Sequence, residues 1–152
     1  MTVAEMLTDL GNKLEDPDET VFDTDRKLQA LNDAQLDLTQ SMGNELLGEL
    51  QVPKDNVVAT DGVLAASAAV LGQIPLNGTA GIISVTNRTT GRLIRKYGND
   101  ENDIKVTNNP FYSGGDQDPR WFPKDGDIVL KPLVTTTVDV EFLRVAPDLV
   151  SG

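Results

Sequence analysis

Between Thr20 and Leu50 the apolar residues return every three or four positions, and beyond Pro53 that spacing gives way to alternation. This change of period constrains the fold more than any other feature. A helix presents one face every 3.6 residues, whereas a strand presents one every two. Helices therefore come first and strands follow, which is the order of an α+β protein.

The helical part opens on Thr2-Val3-Ala4-Glu5, a capping box in which the Thr2 hydroxyl accepts from the Glu5 amide and the Glu5 side chain reaches back. Val3, Met6, Leu7, Leu10 and Leu14 then share one helical face, and Asp16-Pro17-Asp18 stops the helix because Pro17 disfavours helical backbone at Asp16. Asp23 or Thr24 caps a second helix, with Asp23 and Asp25 at its positive end. Its buried stripe reads Leu28, Leu31, Ala34 or Gln35, Leu38 and Met42, while Asp33, Asp37 and Gln40 face the other way. Val21 or Phe22 is placed to staple back onto Leu28 or Leu31. Leu46, Leu47 and Leu50 resume the spacing after Gly43, so a kinked continuation to Leu50 is expected. Two antiparallel helices, about 3–14 and 24–50, result.

In the second part Val57–Ala59, Ala66–Val70 and Ile82–Thr86 read as strands, and Thr90-Gly91 turns into a partner over Arg92–Tyr97. Residues 98–127 form a long polar connection rich in Gly and Pro, a kind of loop that in a compact domain usually contacts something. Asp125-Gly126 turns into Ile128–Leu130. Thr136–Val145 is the strongest strand, with Val138, Val140 and Phe142 on one face, and Pro147 ends it. The expected architecture is one domain over residues 1–152. Helices occupy 1–52, a small mostly antiparallel sheet or sandwich occupies 53–147, and a short tail follows at 148–152.

Composition removes several chemistries. Without cysteine there are no disulfides or zinc thiolates, and without histidine there is no Ser–His triad. No phosphate-binding Gly-rich loop is present. The acids of residues 16–25 lack the glycine and the closing glutamate of a calcium loop and read as helix-capping acids in a turn. Carboxylates are too many for any pair to stand out, so a glycosidase-like pair is the weakest reading. No enzyme, metal site or cofactor is expected. The net charge of −11 opposes nucleic-acid wrapping, and it is concentrated. Residues 1–50 hold 12 acids against 3 bases, whereas residues 51–152 hold 12 against 10. No apolar run reaches membrane length, and the N-terminus lacks signal-peptide character. Phe111, Tyr112, Trp121 and Phe122 gather in polar sequence as a local mini-core, an interface or a stacking surface. The basic residues Arg88, Arg92, Arg95 and Lys96 read as a charged exposed strand face.

Taken in order, three of these parts resemble the head–tail connector (adaptor, or head-completion) proteins of tailed bacteriophages. The first is Asp16-Pro17-Asp18, Phe22, the acidic cap Asp23 to Asp25, and the helix Leu28 to Gln35 with its Leu-Asn-x-Ala-Gln run. The second is Ile74-Pro75-Leu76, like the family's Leu-Pro step into a β region. The third is GDIVLKPLVTTTVDVEFLRVAP, like its closing hairpin. The alanine-rich Val63–Val70 and the Gly114-Gly115 loop depart from the pattern. The resemblance implies a virion protein assembled in the host cytoplasm. It would form a ring of twelve copies under the portal, meet a tail or nozzle protein, and continue a channel through which DNA passes without specific binding. Candidate interface residues are Phe111, Tyr112, Arg120, Trp121, Phe122, Asp148, Leu149 and Val150. Asp33 and Asp37 are candidates for a channel or inter-subunit face. The alternative is a carbohydrate-binding or adhesin module that uses the aromatic loop.

Overall fold

The computed structural model describes residues 1–43, 46–97 and 119–150. It is an α+β fold that divides into two compact units. One comprises Met1–Met42 with Ala146–Gly152, and the other comprises Gly43–Val145.

The first unit is helical. Helix α1 spans Val3–Lys13 and α2 spans Thr24–Ser41. The capping box of α1 is complete: Glu5 N donates to Thr2 Oγ1 at 3.2 Å, and Thr2 N donates to Glu5 Oε2 at 2.6 Å. Asp23 caps α2 by accepting from Arg26 N at 2.9 Å. Helix α2 stops at Ser41 because Met42 turns extended, at ψ 147. The α-helix therefore does not continue to Leu50; among the described residues a 3₁₀ turn, Gly48–Leu50, precedes the first strand. The two glycines in this stretch, Gly43 and Gly48, disfavour helix enough to explain the stop.

The second unit is built from two antiparallel sheets. Strands β1 (Gln51–Ala59), β7 (Thr136–Leu143), β3 (Ile82–Asn87) and β4 (Arg92–Leu93) lie in that order in one sheet. The other orders β2 (Val63–Ala65), β6 (Asp127–Lys131) and β5 (Arg120–Lys124). Inward residues of both sheets share one core: Val57 and Ala59, Leu64, Val85, Trp121, Ile128 and Leu130, then Val138, Val140 and Phe142. The alternation read in β7 is thus its burial pattern. Pro53 and Pro123 fall in the edge strands β1 and β5, where a missing N–H costs no ladder bond. Asp61-Gly62 and Asp125-Gly126 both take positive φ, as two-residue hairpin turns require.

Three expectations change. Ala66–Val70 is not a strand: Ala68–Leu71 forms a short helix, α3, closed by Gly72 at φ 81. Alanine's helix propensity and that left-handed glycine outweigh the neighbouring valines. The partner of β3 shrinks to Arg92–Leu93, because the chain then leaves for the other sheet, where Tyr97 N donates to Trp121 O at 2.7 Å. Strands β6 and β7 do not form a closing hairpin. They belong to different sheets, and residues 132–135, starting at Pro132, carry the chain between them. The Ile74-Pro75-Leu76 step does enter the β structure: Leu76 N donates to Leu143 O at 2.7 Å, and Leu76 is 1% exposed. Gly81 is required there, since a Cβ would run into the Leu76 carbonyl.

Candidate functional site

The residues that face outward from the helical unit, and the tail bound to it, form the surface with most to offer a partner. Its frame is set by the turn between the helices. Asp16 is buried, and its carboxylate accepts from Thr20 N at 2.8 Å, Thr20 Oγ1 at 2.7 Å, Val21 N at 3.1 Å and Phe22 N at 2.7 Å. The Phe22 amide above all, then the Thr20 hydroxyl, holds the Asp16 carboxyl down at about 2. Both oxygens are thereby committed to the chain's own donors. Lys27 is buried beside it, donating to Asp16 O at 3.2 Å with Glu19 Oε1 at 3.6 Å. A Cβ at position 11 would meet Lys27 Nζ at 3.1 Å, so Gly11 makes room for that ammonium. The turn read as helix-capping acids is a carboxylate-centred lock, and Lys27 was not foreseen in it.

This lock aims two apolar side chains outward. Val21 and Phe22, whose amides Asp16 holds, are exposed at 62% and 39%. The face of α2 also differs from the expected stripe. Lys27 and Thr39 are buried, and Leu28, Leu31, Asn32, Gln35 and Leu36 are half-buried. Leu38 is 60% exposed and Ala34 is exposed, so the outward stripe runs Ala30, Ala34, Leu38, with Asp33 and Asp37 exposed alongside. Of the two residues offered for the middle of the stripe, Gln35 faces inward and Ala34 outward, and Asn32 joins Gln35 beside Leu28 and Leu31.

Those amides hold the C-terminal tail. Asn32 Oδ1 accepts from Leu149 N at 2.7 Å, and Asn32 Nδ2 donates to Leu149 O at 3.2 Å. Gln35 Nε2 donates to Pro147 O at 3.2 Å. Asn32 thus exchanges both main-chain bonds with one residue, as a neighbouring strand would. Asp148 and Val150 stay exposed, and Leu149 is half-buried.

The aromatic candidates separate. Trp121 and Phe122 are 2% and 1% exposed, so of the readings offered for them the core is the one seen within the chain. As neighbours on a strand they point to opposite faces of the three-stranded sheet. Trp121 enters the main core, and Phe122 packs with Val129 under Tyr97. Lys96 sits over the Trp121 ring at 5.3 Å, and Arg120 is half-buried. Phe111 and Tyr112 lie outside the described residues. The basic residues are dispersed: Arg88 pairs with Asp139 at 2.7 Å, away from Lys96. Asp139 also accepts from Asn56 N at 2.8 Å, and that amide first, then Arg88, lowers its pKa. Among the described residues no group of three His, Cys, Asp or Glu side chains is placed to hold a metal ion. Among them, too, no helix is long and apolar enough to cross a membrane.

Over residues 1–152 the sequence matches the family described as SU10 adaptor protein. The chain belongs to that family. It is a structural adaptor of a phage particle, with other head or tail proteins as its neighbours. No curated protein matches the chain. For an SU10-family adaptor, a surface of outward apolar stripes, acids and a strapped tail is chemistry for assembly rather than for catalysis.

Proposed function

We propose that the protein forms a ring of twelve copies that joins the portal of a phage head to the tail and continues the DNA channel. The observation that carries this reading is the outward stripe of α2, where Leu38 is 60% exposed with Asp33 and Asp37 beside it. An apolar stripe flanked by charge suits the centre and rim of an interface between protein copies. In this arrangement Leu38 meets the next copy, and Asp33 and Asp37 stand at the rim toward the channel. Carboxylates there repel phosphate, so DNA slides past without adhering. Head-to-tail contacts of this kind close into rings. Asp148, Leu149 and Val150 lie where a neighbour, portal or tail protein can reach them.

Electron microscopy of the purified chain, alone and mixed with the phage's portal protein, tests the reading. The expected result is a twelve-fold ring seated on the portal, with Leu38 covered and Asp33 lining the lumen. A chain that stays monomeric and never joins the portal contradicts it. A ring whose lumen is basic, with Asp33 and Asp37 buried between copies, contradicts the channel assignment alone.

A further inference from the structure

We propose that the seat formed by Asn32 and Gln35 on α2 receives the C-terminal tail of a second copy of this chain. The seat reads main chain. Its three hydrogen bonds go to the Pro147 carbonyl and to the Leu149 amide and carbonyl, and Leu149 contributes the half-buried side chain. An extended segment held by its backbone is recognised by position rather than by side-chain identity. The fit of this particular segment is already shown by the chain's own tail, so an identical tail arriving from another copy makes the same bonds. Exchange of an identical element between protomers requires no new interaction.

The tail has the connection that such an exchange needs. It belongs by contact to the helical unit, yet it is the covalent continuation of β7, the central strand of the other unit. Strand β7 is anchored on both sides by β1 and β3, so it stays in place when the tail leaves. Arg144 N donates to Leu50 O and Val145 N to Ile74 O, each at 2.9 Å, so the hinge is at Ala146, and Pro147 stiffens the tail beyond it. The same bonds form in either seat, so the balance between own seat and neighbour's seat is set by local concentration. A neighbour held side by side supplies that concentration. The inference therefore extends the proposed assembly, and rests on copies meeting laterally.

The chain has no cysteine, which makes the test direct. One population carries Gln35→Cys, which keeps both Asn32 bonds, and a second carries Asp148→Cys. They are mixed at assembling concentration and treated with a short bis-maleimide. A chain with both substitutions serves as control for reach. Tail exchange gives a covalent pair containing one chain of each kind, and adding Asn32→Ala to the first population lowers its yield several-fold. Sedimentation of the same sample reports size. No mixed pair, while the double variant links within one chain, overturns the inference at any oligomeric size. A mixed pair whose yield ignores Asn32→Ala also overturns it. A mixed pair in a sample without rings leaves the exchange standing and removes the ring.

Discussion

In the β unit the side chains withdrawn from water are Phe142, Val140, Leu130 and their neighbours, each 1% exposed. In the helical unit the buried side chains are Asp16 at 5%, Lys27 at 3% and Thr39 at 9%, with Gly11 buried beside them. Among the described residues, every fully buried apolar side chain lies in the β unit. The helical unit leaves Leu14, Val21, Phe22, Leu38 and Val150 exposed, and the β unit, besides its core, leaves Leu46, Val58, Ile74, Leu93 and Leu133 exposed. Burial of one Leu, Val or Phe side chain is worth about 1.5–3 kcal/mol. The β unit collects that stabilisation within the chain. The helical unit is held in shape by hydrogen bonds at Thr2, Asp16, Asp23 and Asn32 and by apolar residues that stay half-buried, among them Leu7, Leu10, Leu28 and Leu31.

The comparison breaks most readily in the β core. Phe142→Ala empties a packed site on the central strand and is expected to cost about 3–5 kcal/mol, read as a lower urea midpoint. A loss below about 1 kcal/mol would mean that the core tolerates collapse and is not what holds this unit.

Acid distinguishes the units next. Asp16 sits at about 2 in the fold against an ordinary 3.8. Its depressed pKa means that the folded state favours the carboxylate. That contribution is complete above pH 3.8 and is lost as pH falls toward 2. Circular dichroism across that range should show helix loss ahead of sheet loss. Asp16→Asn should lower helix content at neutral pH and flatten the acid limb. An unchanged acid limb in Asp16→Asn would assign it to other carboxylates.

Smaller effects sharpen the contrast. Thr2→Ala removes the capping box and should cost about 1 kcal/mol, confined to α1, as seen in its amide exchange. Leu38→Ala should change the stability of the free chain by no more than about 0.5 kcal/mol, since the side chain is exposed. The same substitution should weaken ring formation in sedimentation. A marked loss of stability in the free chain would place Leu38 in a monomer core instead.

What could be read in advance follows the same division. Strand β7 was legible because Val138, Val140 and Phe142 alternate with Asp139 and Glu141. The turn at Asp125-Gly126 was legible because positive φ selects those residues. The capping box at Thr2 was legible because its chemistry is local. The outward face of α2 was not, because apolar spacing identifies a buried stripe only when the chain itself supplies the cover. The tail seat was missed for a related reason: Gln35 was legible as an inward residue, but nothing in the spacing says that it and Asn32 hold a backbone segment. Their i, i+3 spacing on the face of Leu28 and Leu31 was the available signal, and it gives only the shared face. Trp121 and Phe122 could be read as mini-core or interface because a strand sends neighbours to opposite faces, and nothing in the sequence says that both faces of β5 are covered.

Amide hydrogen exchange, compared between the free chain and the assembled form, tests most directly whether the helical unit is completed from outside. Amides of β7 should exchange slowly in both states. Those of α2 should exchange much faster than β7 in the free chain and slow markedly on assembly. Helix α2 as protected as β7 in the free chain, and unchanged on assembly, would contradict the account.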